Sequence, residues 1–147
     1  AADQTGVRML KRHFLHQTSV IPLEAEASGL IMLTQDRQLA RRLGEERDRF
    51  EQEFLVEIAG QLAGGGMAQL NRADSVSRRP PPTVKVSWQN ETRLRIAGKG
   101  LRPGDIAELM AAVGLTVVSS RRLRIGRMPM AKLAPGEWRY LASYEKL

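Results

Sequence analysis

Arg122 and Arg124 alternate with Leu123 and Ile125 in LTVVSSRRLRIG, residues 115–126. In an extended strand that alternation sends the two arginines to one face and the two aliphatic residues to the other. Two cations on the outer face of a strand could grip phosphate oxygens, and Arg139 in LAPGEWRYL could join them. A solvated strand edge is the competing reading of the same residues. Other chemistry is more restricted. The chain has no cysteine, which excludes disulfides, thiolate catalysis and cysteine-ligated zinc. His13 and His16 are the only imidazoles; they read as helix residues beside Arg12 and Phe14, so no metal site is expected. The Gly-rich run AGGGM at 63–67 is not followed by Gly-Lys-Ser/Thr, so it reads as a flexible loop and not as a phosphate loop.

Over 147 residues, Lys and Arg outnumber Asp and Glu by 23 to 16, for a net charge of +7. Such an excess attracts a polyanion, with phosphate contacts supplying a salt-dependent affinity. RNA fits better than a membrane surface, because the basic residues are not gathered on one long amphipathic helix with an aromatic face. No stretch of about 18 consecutive apolar residues and no charged-apolar-small leader occurs, so an intracellular, cytoplasmic protein is expected. With 42% hydrophobic residues the chain can build the core of one domain. It opens on Ala, as a processed chain or a cut fragment would.

The elements that must position these residues follow from periodicity. Val7, Leu10 and Phe14 predict a helix over 6–16. Gly29 to Leu33 is a short apolar run suited to a buried strand, after which Asp36 caps a helix bearing Leu39 and Leu43 and ending at Gly44. Residues 50–58 alternate, with Phe54, Val56 and Ile58 on one face and Glu53 and Glu57 on the other. Asn71 to Pro82 is polar and ends in SRRPPP, an extended link with Arg78 and Arg79 exposed. TVKVSW and TRLRIA predict a hairpin that packs Val84, Val86 and Trp88 against Leu94 and Ile96 and turns Lys85, Arg93 and Arg95 outward. Pro103 opens a helix with Ile106, Leu109, Met110 and Val113, stopped by Gly114; a turn at Pro135-Gly136 leads to a last strand around Trp138. Short strands mixed with short helices predict an α+β domain on a largely antiparallel sheet.

Four ordered segments resemble the RNA pseudouridine synthases that act on the ribosomal small and large subunits. PLEAEASGLIMLTQD at 22–36 is similar to the family segment that runs Gly-Arg-Leu-Asp to Gly-Leu and on to Thr-Asn-Asp. Glu53-Phe54-Leu55-Val56, MAAVGLTVVSSRRLRIG at 110–126 and LAPGEWRYL at 133–141 resemble three more. The resemblance implies the catalytic-domain fold of that family, one domain over 1–147 made of two α+β halves with a cleft between them and a junction near 71–83. It implies RNA, ribosomal RNA in particular, as partner, and no cofactor. An S4-type RNA-binding domain commonly precedes this catalytic domain in the family; one encoded upstream would favour the RNA readings, and this chain does not contain it.

The departures fall where the family contacts the reacting uridine. Its essential Asp is Glu24 here, its Tyr against the uracil is Phe54, and the Arg that pairs with the Asp is Glu108. Phe54 keeps a ring that could stack on a base. Glu24 would be a surviving nucleophile, displaced by one methylene, and a shift of about 1 Å can cost on the order of 100-fold. An exposed loop carboxylate is its other reading. Glu108 replaces a stabilising cation with a like charge. Lys99 and Arg102, in the altered loop GKGLRPGD, are the cations that could replace it or contact RNA. The expectation is an RNA-binding pseudouridine-synthase-like domain with weak or absent isomerase activity; an active synthase using Glu24 and a protein-interaction scaffold are the alternatives.

Overall fold

The alternation in 52–60 sets the core. In a computed structural model describing residues 3–73, 75–142 and 144–147, strand Gln52–Gly60 (β4) buries Gln52, Phe54, Val56 and Ile58 on one face. It lies between Leu115–Ile125 (β7) and Arg93–Lys99 (β6), antiparallel to both, and Thr83–Trp88 (β5) continues the sheet beyond β6. Ser28–Gly29 (β2) joins the far edge parallel to β7, and Met128–Pro129 (β8) pairs back on β7. The sheet is mixed and largely antiparallel, and with its short helices it makes an α+β fold.

One face of the sheet is covered. Helices Gly66–Arg72 (α2) and Asp105–Ala111 (α3) bring Leu70, Ile106, Leu109 and Met110 onto Phe54, Val56, Leu94 and Ile96. A second, smaller cluster gathers Val20, Ile21, Ala40 and Ile125. It forms where the two-stranded sheet of Thr18–Val20 (β1) and Met32–Thr34 (β3) meets helix Arg37–Glu45 (α1). Asp36 caps α1 as expected, accepting from the backbone N–H groups of Gln38 and Leu39.

β7 is not a regular strand. Glu53 faces Arg124 but Phe54 faces Arg122, leaving Leu123 as an extra residue; Glu57 faces Ser119 and Ile58 faces Val117, leaving Val118 as another. Each bulge inserts a residue and resets the alternation. The first one corrects the expectation that Arg122 and Arg124 share the outer face: Arg122 is 1% exposed, on the inner side with Ile125.

Other expectations also change. The helix over 6–16 shrinks to a 3-10 turn at Lys11–Phe14, because Gly6 has φ +77° and the side chain of Gln35 takes the carbonyls of Arg12 and Leu15. The run from Gly29 to Leu33 is split between two sheets, and Ile31 and Leu33 are exposed. α2 occupies ground read as loop; its Gly-rich start hid the buried pair Leu70 and Ala73 at i, i+3. Arg78 is half-buried, since its guanidinium donates to both carboxylate oxygens of Asp105 and to the carbonyls of Pro80 and Gly100. Trp88 is 47% exposed at the end of β5. Around Trp138 there is no strand; the indole meets Phe14 and Tyr140 edge-on, each at 5.3 Å between ring centroids. Among the described residues no helix is long and apolar enough to cross a membrane.

Leu70 is fully buried and anchors α2 to the sheet. Leu70→Ala should therefore lower unfolding stability by about 2–5 kcal/mol, measured by urea denaturation, whereas Gln69→Ala at the neighbouring half-buried polar position should cost much less.

Candidate functional site

Glu24 lies in the loop between β1 and β2, and one side chain fixes both ends of that loop. The buried guanidinium of Arg122 donates from Nε to the carbonyl of Leu30 at 3.0 Å and from Nη1 to the carbonyl of Ile21 at 2.8 Å. Nη1 also meets Gln52 Oε1 at 3.2 Å, and Gln52 in turn donates to the carbonyl of Leu101 at 3.1 Å. The Leu30 N–H returns a bond to the Arg122 carbonyl at 2.8 Å. Gly29 is required at the crossing: its φ is +105°, and a Cβ there would stand 2.3 Å from the Arg122 carbonyl oxygen. Among the described residues no carboxylate pairs with Arg122, and its Nη2 has no partner. Burial pushes its pKa down to about 10.

Within the clamped loop, Glu24 accepts a hydrogen bond at Oε2 from the backbone N–H of Gly104, 2.8 Å away, just before α3. Its carbonyl accepts from the Ala27 N–H at 3.1 Å, closing a turn. Leu23 packs on the core cluster that includes Phe54, which anchors the loop to the main core. Phe54 itself is 5% exposed, its ring enclosed by neighbours. No ion pair reaches Glu24 among the described residues. Glu108 turns instead toward the segment before β5, where its Oε1 accepts from the Ser77 N–H at 2.7 Å.

The expected RNA contacts are mostly engaged within the protein. Arg124 sits between Glu51 and Glu53, with Nη2 at 2.5 and 3.2 Å from their oxygens. Arg139 forms two parallel bonds to Glu145, at 2.7 and 2.9 Å. These bonds, with the Ala142 N–H, hold Glu145 down at about 2. Arg102 reaches Asp48 at 3.2 Å, while its backbone N–H and Arg78 converge on Asp105. Lys99 is exposed, without an ion pair among the described residues. His13, read as a plain helix residue, meets the Tyr140 hydroxyl at 2.8 Å and ties the N-terminal turn to the C-terminal segment.

Two features escaped the sequence reading. The Arg78–Asp105 pair joins positions far apart in sequence, and nothing local signals it. A hollow of about 240 Å³ opens on the uncovered face of the sheet, lined by Ser28, Leu55, Glu57, Arg93, Ser119 and Arg121. Strict alternation through Leu123 would have placed Arg121 on the inner face, so the bulge concealed it.

No protein-family model matches the chain. Individual proteins do. Over 128 residues it is 31% identical to the ribosomal small subunit pseudouridine synthase A of Salmonella typhimurium, covering 84% of this chain and 54% of that protein. The chain is a homologue of the RNA pseudouridine synthases. Over 143 residues it is 28% identical to an "Uncharacterized RNA pseudouridine synthase" of Aquifex aeolicus, covering 95% of this chain and 59% of the relative. It thus spans a little over half the length of these relatives. A crystal structure of a pseudouridylate synthase superposes with a TM-score of 0.66 at 22% identity, over 76% of this chain and 49% of that one, which establishes the fold as that of the synthases.

Two outcomes follow from the clamp and the tail. Arg122→Met should leave the Ile21 and Leu30 carbonyls without a donor, each at a cost of about 1–3 kcal/mol. Amide hydrogen exchange within 21–30 should then rise by at least about tenfold; unchanged exchange would show that the loop does not depend on the guanidinium. For the tail, Glu145 has a folded pKa depressed below its ordinary value, so its contribution is present above about pH 4.5 and is lost as pH falls toward about 2. Thermal unfolding of the wild type and Glu145→Gln should differ at neutral pH and converge across that window.

Proposed function

We propose that this chain binds structured RNA, ribosomal RNA above all, through a pseudouridine-synthase fold, and isomerises uridine weakly or not at all. The observation that carries this reading is the surroundings of Glu24. The position of the family's essential Asp holds a longer carboxylate whose hydrogen-bond partner is the Gly104 amide, with no paired cation among the described residues and with Glu108 where the family has Arg. A nucleophile must be aligned with its target and kept ionised. A backbone N–H lacks the full charge and the reach of a guanidinium. The enclosed ring of Phe54 supports the same reading, since stacking on a flipped base needs an open face.

RNA as partner is supported by the net charge of +7 and by relatives whose names place them on the ribosomal small subunit. Such a partner puts the protein in the cytoplasm. The chemistry is tested by incubating the protein with unmodified ribosomal RNA and mapping pseudouridine. The wild type should give conversion near background, and the triple variant Glu24→Asp, Phe54→Tyr, Glu108→Arg should raise it by at least on the order of 100-fold, the scale of one realigned contact. Site-specific conversion by the wild type that disappears in Glu24→Ala would establish an active synthase instead. Loss of RNA affinity as salt rises is required, because phosphate-dominated binding falls with salt.

A further inference from the structure

We infer that the uncovered face of the sheet is an RNA-contacting surface that grips ribose and phosphate, on the side away from α2, α3 and the amide bound by Glu24. The inference rests on the RNA-binding reading above and adds where the RNA lies. β4, β6 and β7 alternate, so this face displays Arg93, Arg95 and Lys99 from β6, Lys85 from β5, and Arg121 and Arg124 from β7. Glu53 binds Arg95 and Arg124, and Glu51 binds Arg124. Lys85, Arg93, Lys99 and Arg121 have no ion pair among the described residues, and of the four only Arg93 lies in register opposite a carboxylate, that of Glu57. Their positive charge is therefore available to an external polyanion.

The hollow gives this charge a shape. Arg121 and Arg93 stand on either side of β4, in register with Leu55 and Glu57 respectively, and Leu55, Ser28 and Ser119 complete the lining. At about 240 Å³ it falls below the roughly 300–1,000 Å³ of an enclosing small-molecule pocket, and so fits one unit of a longer polymer. No aromatic ring lies on this face for a base to stack on, so contact is to the backbone and independent of sequence. Glu57 selects RNA over an anionic membrane: its carboxylate repels lipid headgroups but accepts from a ribose 2′-hydroxyl. Leu55, half-buried in the hollow, is the large apolar side chain that β4 turns to this face, too little to enter a bilayer.

The test compares Arg93→Gln/Arg121→Gln with a control of equal charge change on α1, Arg37→Gln/Arg42→Gln. Each is titrated by fluorescence anisotropy against a labelled, structured ribosomal RNA fragment between about 50 and 200 mM salt. The sheet variant should weaken binding on the order of tenfold and reduce the slope of log K against log salt by about two, one per lost phosphate contact. The control should stay within about twofold. Circular dichroism of both variants should match the wild type, since all four arginines are exposed. Wild-type affinity and slope in the sheet variant, while the wild type binds, would overturn this surface and leave the RNA reading standing. Absence of RNA binding by the wild type would overturn both. Loss of binding to phosphatidylserine vesicles with RNA affinity unchanged would make the face a membrane surface and also overturn the inference.

Discussion

A buried arginine without a carboxylate organises this fold. Taking a guanidinium out of water is costly unless its hydrogens are satisfied; Nε and Nη1 of Arg122 bond main-chain carbonyls and one amide side chain, while Nη2 has no partner among the described residues. Those acceptors come from three separate segments: the end of β1, the stretch after β2, and β4. The guanidinium therefore holds β2 against β7 and sets the entry and exit of the Glu24 loop, while Ile125 on the same side closes the second cluster. The Leu123 bulge is what turns the arginine inward, and Gly29 is what lets the loop backbone approach it. Removing any one of the three would leave the other two without a purpose.

The departures from the family pattern make sense together when α3 is considered as a whole. A synthase would need a cation here facing the catalytic acid. In this chain α3 carries Asp105 and Glu108, and both carboxylates reach into the segment between α2 and β5: Asp105 holds Arg78, and Glu108 holds the Ser77 amide. Val76 is fully packed beneath them. The helix thus anchors a neighbouring loop, and what remains for Glu24 is the amide at the helix start. Both carboxylates of the helix are thus spent on fixing that loop, while its apolar side stays in the main core.

Much of this was legible in the chain. β4, the β5–β6 hairpin, the Asp36 cap and α3 follow from alternation, capping and a glycine stop, because each is decided by neighbours within a few residues. Segments decided by distant partners were not. The 6–16 stretch has a helical pattern but is claimed by Gln35 and Tyr140, and Arg78 is drawn in by Asp105 across the fold. Arg122 was misplaced for a subtler reason: a strand pattern has period two, and one extra residue reverses every assignment before it. For the candidate site, the altered identities of Glu24, Phe54 and Glu108 were visible in sequence, but their partners were not, since Gly104 and Ser77 act through main-chain amides that no residue type announces.

The two tryptophans occupy opposite kinds of place. Trp88 stands half in water at the end of β5, beside Asn90 and Glu91, while Trp138 is held edge-on between Phe14 and Tyr140, closing the N-terminal turn onto the C-terminal segment. Trp138 is half-buried, so its emission should lie to the blue of the more exposed Trp88, and opening of the clasp between the chain ends should appear as a red shift while the sheet is still intact.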